Sequence, residues 1–109
     1  MNKIIKNVAI ILVCGFSLYL HAQSPSTIVQ GGFCTGKSGA PVPGLLVSLV
    51  HSKLGRSTPS YTNQYGYFRM VNIPIHKIPY YLEVYWGKRL ILRSKISVQG
   101  PLNLPMKCL

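Results

Sequence analysis

Beyond residue 23 no stretch keeps a helical apolar period for three turns, whereas glycines and prolines recur every several residues and Val, Ile, Tyr and Phe fill the gaps. Without that period a helix has no continuous stripe to bury, and short β-branched and aromatic runs between turn formers read as strands. The chain is therefore expected to be all-β. Seven strands are expected, at Thr27–Thr35, Leu45–Ser52, Ser60–Asn63, Tyr67–Asn72, Tyr80–Trp86, Lys88–Val98 and Leu102–Cys108. Seven strands in under ninety residues, with no repeat and no long linker, fit one sandwich of two antiparallel sheets.

Side chains two apart share a face of a strand, so alternation sorts the inside from the outside. Val29, Gly31 and Phe33 fall together, as do Leu45, Val47 and Leu49, and Phe68 and Met70. Tyr80, Leu82, Val84 and Trp86 form a further set, and Leu90, Leu92, Ile96 and Val98 the last. These sets are the expected core. Pro41, Pro43, Pro59, Pro74 and Pro79 sit between strands, where a missing N–H removes no ladder bond.

The opening residues have a different character. Lys3 and Lys6 precede an almost wholly apolar run from Val8 to Leu20, and His21-Ala22-Gln23 restores polarity. That is the pattern of a secretory signal peptide at residues 1–22, cleaved after Ala22 to leave a domain at 23–109. The apolar run is shorter than the ~20 residues needed to cross a bilayer, which argues against an uncleaved anchor. Cys14 follows Val13, where a bacterial lipobox has Gly, Ala or Ser, so lipidation there is not expected. The mature chain is expected to be exported to the periplasm or the extracellular space, with no transmembrane span.

Charge narrows the chemistry. With Lys3 and Lys6 set aside, ten basic side chains face one carboxylate, Glu83, for a net charge of +9. Paired-carboxylate catalysis and carboxylate metal cages both need more acids than this, so neither chemistry is open to the chain. His51 and His76 are the candidate bases for nucleophilic catalysis, but neither lies in a recognisable motif, and each reads as a solvated or hydrogen-bonded side chain. The chain is expected not to be an enzyme and to hold no metal or cofactor. Two cysteines remain after residue 22, Cys34 and Cys108. In an exported chain such a pair reads first as a disulfide, with two free buried thiols as the alternative.

Several segments carry a family resemblance. Gln30-Gly31-Gly32-Phe33 is followed by Gly39-Ala40-Pro41-Val42-Pro43-Gly44-Leu45-Leu46-Val47-Ser48-Leu49, then by Thr62-Asn63-Gln64-Tyr65-Gly66-Tyr67-Phe68 and Asn72-Ile73-Pro74. In this order they resemble the carboxypeptidase regulatory-like domain, over nearly all of residues 27–109. The resemblance implies a prealbumin-like, seven-stranded antiparallel Greek-key sandwich. Such non-catalytic modules occur in exported bacterial proteins, beside metallocarboxypeptidase domains and at the front of TonB-dependent transporters. It also implies that the first and last strands are neighbours, which would bring Cys34 and Cys108 within bridging distance.

The family's turn Asp is Asn63 here, which can keep the local side-chain-to-backbone bond while losing the carboxylate, so calcium is not expected at this turn. Some related sandwiches cross-link a Lys to an Asn beside a buried acid, for which Lys37, Asn103 and Glu83 are the candidates. Parity sends Glu83 outward if Leu82 and Val84 face the core, and an exposed acid would not serve that reaction.

One surface is the candidate binding site. A turn at Trp86-Gly87-Lys88 would set Val84 against Leu90 and Leu82 against Leu92 on the core side. The other face would then place Tyr85 beside Arg89 and Tyr81 beside Arg93, with Lys95 farther along, a basic aromatic stripe suited to a sugar ring, a phosphate or an acidic partner. The expected function is a non-catalytic structural or binding module of the cell envelope or secreted space, acting on a protein partner or glycan. The alternatives are a secreted basic effector of anionic membranes or lipopolysaccharide, and nucleic-acid binding, which an exported chain seldom meets. Oligomeric state is left open.

Overall fold

The computed structural model describes residues 25–109. The signal peptide expected at 1–22, its cleavage point and Cys14 lie outside the described residues. No helix among the described residues is long and apolar enough to cross a membrane.

The described chain is all-β. Its elements are β1 (Ser26–Cys34), β2 (Leu46–His51), β3 (Gly55–Arg56), β4 (Ser60–Tyr61), β5 (Tyr67–Pro74), β6 (Tyr80–Trp86), β7 (Arg89–Ile96), β8 (Leu102–Asn103) and β9 (Lys107–Cys108). They form two sheets. In sheet one β1 lies between β5 and the β8 side, with β9 also pairing β1; sheet two runs β3-β2-β6-β7, with β4 also pairing β2. Seven strands were expected and nine form, because β3 was not expected and the last expected strand is split in two. The edge of sheet two beside β2 comes in two pieces, β3 and β4. The last strand is likewise split into β8 and β9, with Pro105 between them, which has no N–H to give a ladder. Both pieces run parallel to β1, so sheet one is mixed where an antiparallel sandwich was expected.

The core lies between the sheets. Val29, Phe33, Phe68 and Met70 come from sheet one, and Leu45, Val47, Leu49, Leu82 and Val84 come from β2, its lead-in and β6. The rings of Phe33 and Phe68 stack with centroids 5.6 Å apart. Burying each such side chain contributes on the order of 1.5–3 kcal/mol. Alternation sorted these residues correctly. It failed for Trp86 and Leu90, which were expected inside and are 58% and 44% exposed, and it overlooked Ile73, which is buried.

Two bulges account for Leu90 and Ile73. Along the β1–β5 pair Thr27 faces Ile73 and Val29 faces Met70, so β5 carries one extra residue. Asn72 sits there at φ 57°, a left-handed conformation that Asn tolerates, and the insertion turns Ile73 inward. Along the β6–β7 pair Val84 faces Leu92 but Tyr85 faces Leu90, so Ile91 is the extra residue. The bulge keeps Leu92 and Ile96 packed against the core and leaves Leu90 outside it. Trp86 needs no bulge: it ends β6 at the hairpin tip, beyond the reach of the opposite sheet.

The turn after β4 forms as its sequence suggested. Asn63 Oδ1 accepts from the N–H groups of Tyr65 and Tyr67 at 2.9 and 3.0 Å, and Gly66 N–H donates to Asn63 O at 2.9 Å. Gly66 has φ 79° and lies so close to Phe33 O that a Cβ would collide with it, so the position requires glycine on both counts. Cys34 and Cys108 form a disulfide, with Cα atoms 4.2 Å apart across 74 residues of sequence. The two are direct partners of the β1–β9 pairing, and Leu109 N–H donates to Cys34 O at 2.7 Å beside the bond.

Candidate binding face

The outer face of sheet two carries the expected stripe in altered form. Register places Leu46 beside Tyr85, Ser48 beside Glu83 and Val50 beside Tyr81, while β7 sets Arg93 opposite Glu83 and Lys95 opposite Tyr81. Tyr81, Tyr85, Arg93 and Lys95 therefore share this face, as expected. Arg89 does not. Gly87, at φ 60°, allows a two-residue turn over Gly87-Lys88 of the kind that has glycine at its first central position, so Arg89 pairs with Trp86 rather than lying beside Tyr85. Together with the bulge at Ile91, this removes Arg89 from the parity of Arg93 and Lys95.

Glu83 is the second correction. It points away from the core, as parity required, yet it is only 7% exposed. Its neighbours cover it. Arg56 Nη2 lies 2.9 Å from one carboxylate oxygen, Tyr85 OH donates to the same oxygen at 2.8 Å, and Arg93 Nε lies 3.3 Å from the other. Arg56 Nη1 also donates to Ser48 Oγ at 2.8 Å, and Ser48 is fully buried beneath it. The Arg93 guanidinium, meanwhile, stands 4.0 Å over the Tyr81 ring. A carboxylate taken from water would normally hold its proton more tightly. Here burial does push in that direction, but the bonds from Tyr85 and Arg56 and the charges of Arg56 and Arg93 outweigh it and hold Glu83 below the usual carboxylate range. Reciprocally, Glu83 raises the pKa of Arg56.

Much of the stripe is therefore engaged with itself. The phenol of Tyr85, the face of Tyr81 and the Nε of Arg93 all have partners, whereas Lys95, Lys88 and Arg89 are exposed with no ion-pair partner among the described residues. Arg56 and Ser48 were not anticipated. Arg56 belongs to a strand of two residues that exists only through its pairing with β2, and no local pattern announces it.

The remaining candidates are dispersed. Asn103 receives a hydrogen bond from Gln30 on sheet one, Lys37 lies on the exposed turn after β1, and Glu83 is on sheet two, so the cross-linking set is not assembled. His51 is buried and hydrogen-bonded, the second of the two readings its sequence allowed. Its Nδ1 accepts from the N–H groups of Lys53 and Leu54 at 3.1 and 3.2 Å, which leaves Nε2 to donate to Ile78 O at 3.1 Å. His51 thus closes the turn after β2, with its ring edge-on to His76 and Tyr80. The pKa of His76 is lowered, by partial desolvation first and then by His51, Lys53 and Lys77. Among the described residues no group of three or more His, Cys, Asp or Glu side chains could hold a metal ion.

No family model and no curated protein matches the chain. Among solved structures it is similar to a DUF3823 family protein from Parabacteroides merdae, with a TM-score of 0.54 and 12% sequence identity. The similarity covers 78% of this chain and 46% of that one, so this chain spans less than half the length of its neighbour. At that identity the likeness is one of fold: a β-sandwich.

Proposed function

We propose that the protein is a non-catalytic binding module of the carboxypeptidase regulatory-like kind, exported to the cell envelope or beyond, and that it recognises an acidic partner through the outer face of sheet two. The order of the glycine, proline and asparagine motifs supports the family reading. The observation that carries the binding reading is the charge imbalance on this face. Glu83 is already shared between Arg56 and Arg93, so Lys95 on this face and Lys88 in the adjoining hairpin turn have no acid to meet. Uncompensated cations beside aromatic rings attract carboxylates and speed encounter with them.

The test is a salt titration of binding to an acidic peptide, to lipopolysaccharide and to DNA, on the protein and on a Lys88→Ser, Lys95→Ser variant. The expected result is that the acidic peptide binds more tightly than the other polyanions at matched charge and weakens several-fold in the variant. Equal binding to every polyanion at matched charge would reduce the face to a bare charge effect, and binding unaffected by the variant would place the site elsewhere.

A further inference from the structure

Sheet two ends at β7, which pairs with β6 on one side, apart from the bulged Ile91, and, among the described residues, with no strand on the other. Beside that bare edge the sandwich is open. A cleft of about 430 Å³ lies between the edge of β7 and the segment from β8 to β9, lined by Phe33, Phe68, Leu92, Ile96, Leu104 and Met106 among others. Past the bulge the side chains of β7 divide cleanly. Leu92, Ser94 and Ile96 line the cleft, while Arg93 and Lys95 lie on the outer face.

An unpaired strand edge is a template for another strand, and proteins usually shorten, cover or charge it. Here the edge is long and is charged with one sign only: β7 carries Arg89, Arg93 and Lys95 and no acid. A second copy of this chain pairing edge to edge would bring these cations against their own kind. An incoming strand with acids at alternate positions would instead set its carboxylates beside Arg93 and Lys95, and its remaining side chains would then point into the cleft. The charges that repel a like edge admit an acidic one, which is how a single feature both excludes and selects.

We infer that β7 is an acceptor edge for strand addition. The occupant is an extended segment of another protein in which apolar and acidic residues alternate; it pairs along β7 past the bulge, fills the cleft with its apolar side chains and lays its carboxylates on the outer face. The inference rests on the acidic-partner reading above and adds the conformation and residue pattern of the partner. Main-chain pairing would supply affinity and the cleft would supply specificity, the division of labour usual in strand addition.

The experiment uses two peptides of one composition, four Val-Glu repeats and a block of four Val followed by four Glu, each titrated at neutral pH onto isotope-labelled protein and followed by amide chemical shifts. A third peptide is the alternating one with every second backbone nitrogen methylated. The alternating peptide is expected to perturb β7 and the residues lining the cleft, with about tenfold weaker binding for the block peptide and none for the methylated one. A Ser94→Phe variant, which places a ring in the cleft, is expected to weaken the alternating peptide and leave the block peptide unchanged. Because the three peptides are compared on the unaltered protein, the result does not depend on that variant folding. Equal binding of the alternating and block peptides would overturn strand addition and leave acidic recognition standing. Binding by none of them would overturn both, and self-association of the protein through β7 would overturn the choice of partner.

Discussion

Ser48 and Leu49 are consecutive residues of β2 and neither is exposed at all, yet they are buried on opposite faces for opposite reasons. Leu49 lies across from Leu82 and packs into the core between the sheets, where removing apolar surface from water is the stabilising term. Ser48 lies across from Glu83 on a face with no second sheet above it among the described residues, and what covers it is the Arg56 guanidinium, held by the carboxylate it neutralises. Burial at Leu49 therefore involves no ionised group, whereas burial at Ser48 rests on an ion pair. Burial alone does not mark a core.

Four predictions probe that difference, from the largest effect to the smallest. The Cys34–Cys108 bond belongs to neither face of sheet two and sets the scale. Changing both cysteines to Ala should cost about 4 kcal/mol in urea unfolding, since the 74-residue separation makes the closed loop long. A loss below about 1 kcal/mol would show that the β1–β9 pairing holds the last strand without the covalent link. Next, Leu49→Ala should cost about 3 kcal/mol by the same measurement, with the loss nearly the same at pH 7 and pH 3, because the side chain removed carries no ionisable group.

Glu83→Gln should cost about 1–2 kcal/mol at pH 7, since it weakens charge-assisted bonds to Tyr85, Arg56 and Arg93 without removing their geometry. This loss should depend on pH. The folded pKa of Glu83 lies below its ordinary value of 4.5, so its stabilising increment is present above that value and fades as pH falls through the folded value. With one Asp or Glu in the whole sequence, the acid limb of the stability curve reports on this carboxylate, the chain terminus and His76, whose pKa is lowered, and the difference between the native and Gln proteins isolates Glu83. If the native and Gln proteins keep parallel curves from pH 6 to pH 3, Glu83 is not the group that binds the outer face together. The smallest effect belongs to Arg89→Ala, which should change stability by less than about 0.5 kcal/mol, whereas Arg93→Ala should cost up to about 1 kcal/mol through Glu83 and Tyr81. Equal losses at the two positions would mean that the bulge at Ile91 does not separate them in solution.

The sandwich was legible because its signals are local. Tyr80–Trp86 was placed with its observed bounds, since alternation and flanking turn residues both act within a few positions. The bulge of β5 had a visible cause in Asn72, a residue type at home at positive φ, although its consequence for Ile73 was not drawn from it. The bulge of β7 had none. Ile91 is β-branched and typical of a strand interior, and only the register imposed by the Gly87-Lys88 turn makes it the extra residue. The two-residue turn and that one extra residue together take Leu90 out of the expected core and Arg89 out of the expected stripe. The short strands β3, β4, β8 and β9 were illegible for a related reason: two residues hold no period, and their hydrogen bonds are made to distant partners.

Sequence alone determined the all-β class, the strand-bearing segments, the inner face of β2 and β6, and the shortage of acids that confines the chemistry, because composition and period-two alternation are properties of neighbours along the chain. Tertiary structure decided the burial of Glu83, the role of Arg56, the placement of Arg89, the parallel pairing beside β1 and the open cleft along β7. Each of these depends on which distant strand lies alongside and in what register, and a one-residue shift in register moves every side chain to the other face.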